Sequence, residues 1–248
     1  MNSIRFNEIC LKFTGAERER EGIGTLAEKT LHLIIKNYIE PNTDFHEIKV
    51  GRKVADIKNS NGIFEIQTRS FDRLRPKLQQ FLKENQVTVV YPIAKEKRIC
   101  WIDPETGEMT PPRKSPKQGS SFDIFKELYK IKMFLLEPNL KFRIMMLGIN
   151  EYRLRNGWSF DKKKGSTKYE SIPNAIFEEI EISSTEDYLK LLPADLPIEF
   201  GTKELAKASK RTKRCAQTAL NVLSHIGAIV RIPSDTRAYR YVKRTESR

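Results

Sequence analysis

The chain has 248 residues, enough for one large domain or for a core domain with a smaller module, and enough to bury a hydrophobic core. Lys and Arg number 45 against 32 Asp and Glu, for a net charge of +13 and an isoelectric point near 9.6, so the surface field favours a polyanionic partner, nucleic acid foremost. Cys10, Cys100 and Cys215 are odd in number and widely spaced, and His32, His46 and His225 never stand at zinc spacing from them, which excludes a disulfide framework and a structural zinc. Apolar runs such as residues 144–147 are too short to cross a bilayer and the N-terminal MNSIRFNEIC has no signal-like apolar core, so a cytoplasmic protein without a membrane partner is expected.

Over residues 17–39, Ile23, Ala27, Leu31, Ile34 and Tyr38 recur at helical spacing, and Pro41 follows; the pattern predicts a helix. Residues 45–50, 53–58 and 63–69 are short runs rich in Ile, Val and Phe, parted by Gly51-Arg52 and by Asn59-Ser60-Asn61-Gly62, and they predict a three-stranded meander. Residues 71–85 place Leu74, Leu78, Phe81 and Leu82 on one helical face, and 87–93 form an unbroken apolar run suited to a buried central strand. Further on, 98–103 read as a strand, 103–121 as a loop, 122–136 as a helix capped by Ser120 or Ser121 and 142–149 as a buried strand, and within 150–171 the hydrophilic, Lys-rich stretch 161–168 reads as a hairpin tip or a mobile loop. A first domain is expected over 1–172 and a second over 173–248.

Strand alternation puts Glu65 and Gln67 on one face. A turn at Ser60-Asn61 sets Asp56 opposite Glu65, whereas a turn at Asn61-Gly62 sets it opposite Gln67; either way Asp56 shares that face, as does Lys58. If the preceding hairpin turns at Gly51-Arg52, Glu47 comes opposite Asp56 and joins the cluster. Clustered acids repel unless a cation compensates, and hard oxygen donors favour Mg2+ or Mn2+. The plainer alternative is an amphipathic sheet with these polar residues in water.

Helix, three strands, helix and strand, with Asp56 followed by Glu65-Ile66-Gln67 on the next strand, resembles the PD-(D/E)xK restriction-endonuclease-like nuclease family over residues 17–93. The resemblance implies an α/β fold, a mixed sheet flanked by helices, and metal-dependent hydrolysis of phosphodiester bonds in DNA. It implies that Asp56 and Glu65 hold Mg2+ or Mn2+, with a further Glu from the first helix at Glu28. Ala55 stands where the family has Pro and Gln67 where it has Lys. Gln cannot serve as a base or supply a charge, so water activation would fall on the metal, with Lys58 as a displaced ammonium. Arg69, Arg73, Arg75 and Lys77 would neutralise flanking phosphates, and Arg113, Lys114 and Lys117 are a second candidate clamp.

From residue 200 onward the sequence reads as a short helix opened by Thr202, a turn near Ser209-Lys210, a longer helix to His225 stopped by Gly227, and two strands, 228–232 and 238–242. This order resembles a winged helix-turn-helix domain, with a preceding helix in 185–192. The resemblance implies that the second helix enters a DNA groove, with Lys210, Arg211, Arg214, Gln217 and Asn221 facing it and Arg237 and Arg240 on the wing. From Lys203 onward there are twelve basic and three acidic residues, which concentrates the positive charge there. The partner expected is duplex or branched DNA, and paired cuts would require a homodimer. The alternative is a non-catalytic DNA-binding regulator or scaffold whose nuclease-like domain has lost its chemistry.

Overall fold

The computed structural model describes residues 3–14, 29–68, 70–158, 164–234 and 238–244. In chain order its elements are α1 (Ser3–Thr14), α2 (Lys29–Ile39), β1 (His46–Val50), β2 (Lys53–Asn59), β3 (Gly62–Ile66), α3 (Arg75–Phe81), β4 (Val87–Ile102), β5 (Arg113–Lys114), α4 (Phe125–Leu128), β6 (Leu140–Trp158) and β7 (Lys164–Ile182). β8 (Glu199–Phe200), α5 (Thr202–Ala208), α6 (Lys213–His225), β9 (Ile229–Ile232) and β10 (Arg240–Lys243) complete it. No helix among the described residues is long and apolar enough to cross a membrane.

The chain is mixed α/β, and its main sheet has seven strands in the order β1-β2-β3-β4-β6-β7, with β5 paired to β4. β3–β4 and β4–β6 are parallel, and the other pairs are antiparallel. The parallel centre explains the unbroken apolar run at its core: Val87, Val89 and Val90 are fully buried because helices cover both faces. Phe6, Leu31, Ile34 and Ile35 from α1 and α2 pack with Ile57, Phe64, Met145 and Leu147 on one face. On the other, Leu74, Leu78 and Phe81 join Phe122, Phe125 and Phe142, and this cluster continues without a gap into Leu205, Ala216, Leu220 and Leu223 of α5 and α6.

The meander forms as expected, and the Asn59↔Gly62 and Ile57↔Phe64 pairs select the Ser60-Asn61 turn. Gly62 has φ +109, and a Cβ there would meet the Gln86 carbonyl oxygen at 2.5 Å, so this turn requires glycine.

Elsewhere the structure corrects the expected element limits. Helix α2 begins at Lys29, and the upstream part of the expected helix, including Glu28, lies outside the described residues. α1 carries no counterpart among the expected elements. The two strands expected at 87–93 and 98–103 are one strand, with an irregularity between Ala94 and Glu96 that breaks the alternation and so hides the continuity. β6 runs on past the expected limit at 149 to Trp158, and β7 pairs back against it from Lys164; of the stretch expected as a hairpin tip or a mobile loop, 164–168 belong to β7 and 161–163 lie outside the described residues. β7 crosses the boundary expected at 172/173 unbroken and ends at Ile182. The helix expected over 122–136 is split into a 3₁₀ turn, α4 and a second 3₁₀ segment, because the buried Ile131 leaves helical geometry (φ −116, ψ 24). A 3₁₀ helix, Glu186–Leu191, stands in the expected 185–192 segment. The second sheet, β8-β10-β9, packs with α5 and α6.

Candidate functional site

Backbone pairing between β2 and β3 stops at Ile57↔Phe64, and the next two residues are the carboxylates. Their side chains take over from the ladder. The Asp56 amide donates to Glu65 Oε1 at 3.3 Å, and the Ile66 amide donates to Asp56 Oδ2 at 2.7 Å. Two buried backbone donors are thereby satisfied by carboxylates, which fixes the orientation of both acids.

Two further residues reach the pair from helices on opposite sides of the sheet. His32 Nε2 of α2 lies 3.1 Å from Asp56 Oδ2. Lys77 of α3, a helix opened by Pro76, places Nζ 2.7 Å from Glu65 Oε2 and 3.9 Å from Asp56 Oδ1. The Glu65 side chain is 2% exposed, against 14% for Asp56 and 28% for Lys77. Burial opposes the charge on Asp56, but His32, Lys77 and the Ile66 amide outweigh it and hold the Asp56 pKa below the ordinary value. Glu65 goes the other way: burial, then the like charge of Asp56, push it up to about 7 despite Lys77. One carboxylate is thus secured as an anion while its neighbour is poised to exchange a proton near neutrality.

The other expected site residues are placed as follows. Glu47 takes φ +53 in β1 and its exposed carboxylate is bound by Lys36, with no bond to Asp56. Gln67 turns its amide to the Ser70 carbonyl at 2.8 Å. Lys58 is half-buried and pairs across to Ile63, and among the described residues no ion pair joins it to either acid; the ammonium beside them is that of Lys77. Glu28 and Arg69 lie outside the described residues. Arg73 is exposed, while Arg75 donates to the Lys130 carbonyl. Arg113, Lys114 and Lys117 are exposed on and beside β5, with Lys114 3.4 Å from Glu96.

Sequence reasoning did not single out His32 or assign Lys77 to the acids. His32 lies on α2, and the resemblance, which takes a further site residue from the first helix, was the signal that could have pointed to it. Buried Glu127 was also missed: it accepts from the Phe71 amide at 3.0 Å and from Lys130 at 2.9 Å, anchoring the segment that leads from β3 into α3.

The two carboxylates suit a magnesium-type ion, which typically takes one or two protein carboxylates and completes its shell with water and phosphate oxygens. Among the described residues no group of three or more His, Cys, Asp or Glu side chains is arranged to hold a metal ion.

In the C-terminal part, Arg211 is bound by Asp123 through two bonds of 2.6 and 2.9 Å and also donates to the Gln118 carbonyl. Lys132 donates to Asn221 at 3.1 Å. Arg214 and Gln217 are exposed on α6, and Lys210, at φ +52, is exposed in the turn before it. Arg240 contacts Glu204 at 3.2 Å and the Glu199 carbonyl at 2.9 Å, and Arg237 lies outside the described residues. Between α5, α6 and β10 lies an open cleft of about 670 Å³ lined in part by Lys203, Lys213, Gln217 and Arg240.

The family described as "Domain of unknown function (DUF8091)" matches residues 29–183, from the start of α2 to just past the end of β7, and so includes His32, Asp56, Glu65 and Lys77. A relative from Treponema pallidum (strain Nichols), described as an uncharacterized protein, is 29% identical over 167 residues, covering 67% of this chain and 64% of its own length. The match thus spans less than two thirds of that relative. No solved structure matches the chain.

Proposed function

We propose that this chain, which belongs to the DUF8091 family, is a divalent-metal-dependent DNA nuclease with a restriction-endonuclease-like body and a C-terminal winged helix-turn-helix module. The observation that carries the reading is the buried Asp56–Glu65 pair at the parting of β2 and β3, with the Lys77 ammonium against both. A structural salt bridge alone does not call for a second buried acid whose pKa is raised by burial and then by the first.

When bound, Mg2+ or Mn2+ would polarise the scissile phosphate and lower the pKa of a water. Asp56 and Glu65 are the residues that would hold it. His32 and the Ile66 amide fix the Asp56 carboxylate, so its donor oxygens are oriented before any ligand arrives. Lys77 supplies the ammonium that the Gln67 position lacks, able to neutralise charge developing on a phosphate or to orient a water. Gln67, spent on the Ser70 carbonyl, holds the strand end instead. The basic C-terminal module supplies the attraction for the DNA backbone.

A second reading is a DNA-binding regulator without chemistry, and one observation favours it: Lys77 already compensates Glu65 without a metal. The test is cleavage of plasmid, linear and branched DNA with Mg2+, Mn2+ or EDTA, by wild type and by folded Asp56→Ala and Glu65→Ala variants. Metal-dependent cutting lost in both variants is expected. Salt-dependent binding with no cutting by the wild type in any condition would establish the regulator instead.

A further inference from the structure

The cleft in the C-terminal module does not have the shape of a helix free to lie in a major groove. Two of the polar groups that would read base edges are committed to the body, Arg211 to Asp123 and Asn221 to Lys132. At the end of α6, His225 Nε2 contacts the Lys132 carbonyl at 3.1 Å. The C-terminal half of α6 therefore lies beside the 3₁₀ segment Tyr129–Phe134. A groove about 12 Å wide admits a helix only when its reading face is clear along its length.

What remains open is concave. Its lining includes buried Leu220, the polar residues Lys203, Lys213 and Gln217, and Tyr239, a residue that is 56% exposed. The Arg231 guanidinium covers one face of that ring, 3.4 Å from its centroid. Lys203 and Lys213 are exposed, and among the described residues neither enters an ion pair, whereas Arg240 is occupied by Glu204. An exposed tyrosine braced by arginine, beside two exposed lysines and a buried leucine, is the equipment for stacking one base and neutralising its phosphates. A cleft of about 670 Å³ is of the size that takes a small ligand such as a nucleotide.

We infer that this cleft binds an unpaired nucleotide of DNA, by stacking on Tyr239 and phosphate contacts to Lys203 and Lys213, so that the module selects DNA with a single-stranded end or gap rather than continuous duplex. The inference rests on the nucleic-acid reading above and names the substrate class within it. Selection arises because a paired base keeps both its faces in the duplex stack, while an unpaired one is free to exchange water for the tyrosine ring.

The experiment is equilibrium binding in EDTA, where no cutting occurs, of labelled blunt duplex, the same duplex with a short overhang, and closed circular competitor. Wild type, Tyr239→Ala, Tyr239→Trp and Lys213→Ala are compared, each checked for folding by circular dichroism. The wild type is expected to favour the overhang. Tyr239→Ala should lose roughly ten- to a hundred-fold on it and little on blunt duplex, as befits one stacked base. Tyr239→Trp should retain the preference, and Lys213→Ala should weaken binding to both DNAs and lower the salt dependence. Equal affinity of the wild type for blunt and overhang DNA, or an equal loss on both in Tyr239→Ala, would overturn the inference. A Tyr239-dependent overhang preference in a protein that never cuts would leave the cleft standing and remove the nuclease reading, while metal-dependent cutting without the preference would do the reverse.

Discussion

Asp56 and Glu65 are joined through each other's strands: the Asp56 amide donates to the Glu65 carboxylate, and the amide next to Glu65 donates back to Asp56. The pair therefore closes the sheet where backbone pairing ends, and its two acids cannot separate without unsatisfying buried backbone groups. Three consequences of this pair can be measured, and a fourth expectation concerns Arg211.

Replacing Lys77 by Met leaves Glu65, which is 2% exposed, without its cation. Because Lys77 is itself partly exposed, the cost should be about 1–3 kcal/mol in EDTA, less than for a fully buried pair. Adding Mg2+ or Mn2+ should restore more thermal stability to Lys77→Met than it adds to the wild type, since an ion then replaces the lost charge. Thermal unfolding with and without metal reads this, and equal metal responses in the two proteins would count against a cation site.

Glu65 also sets a pH dependence. Its pKa is raised in the folded chain, from an ordinary 4.5 to about 7, so the folded state binds the extra proton. That contribution is fully present below about 4.5 and is lost as pH rises through about 7. Glu65→Gln keeps the shape but not the titration. In EDTA, its stability relative to wild type should therefore improve between pH 5 and pH 8, as denaturant titrations at the two pH values would show. A gap that is independent of pH would mean that Glu65 is not the titrating group.

Gly62→Ala should destabilise the protein by about 2 kcal/mol or more, because the position combines φ +109 with a carbonyl oxygen 2.5 Å from any Cβ. Since this turn sets the register that opposes Asp56 to Glu65, whatever folded protein remains should also lose metal response. Denaturation midpoints measured with and without Mn2+ test both effects.

Arg211→Ala should act on stability more than on DNA affinity. Its guanidinium is committed to Asp123, so the loss should be about 1 kcal/mol, with faster proteolysis between β7 and α5. Arg214→Ala, on the exposed face of α6, should instead leave stability within about 0.5 kcal/mol and lower both DNA affinity and its salt dependence. Salt-series binding of the two variants separates the roles.

The meander, the helix on either side of it and the helix-turn-helix order were legible in the sequence because each rests on a local period or a turn residue: alternation around Asp56 and Glu65, the 3.6-residue spacing of Leu31, Ile34 and Tyr38, and Gly227 after α6. Long strands were not legible where they leave the core. Residues 150–158 and 164–171 are largely polar in sequence, and even buried positions among them are Glu151, Ser166 and Ser171, so the hydrophobic pattern that betrays a strand is missing there. Two acids on one strand face followed from alternation alone. That Lys77 rather than Lys58 or Gln67 supplies their ammonium, that His32 braces Asp56, and that Arg211 faces Asp123 rather than solvent were decided by packing. Each of these partners comes from a different part of the chain, Lys77 from α3, His32 from α2 and Arg211 from the turn before α6, and sequence periodicity orients an element's faces without saying which residue of a neighbouring element they will meet.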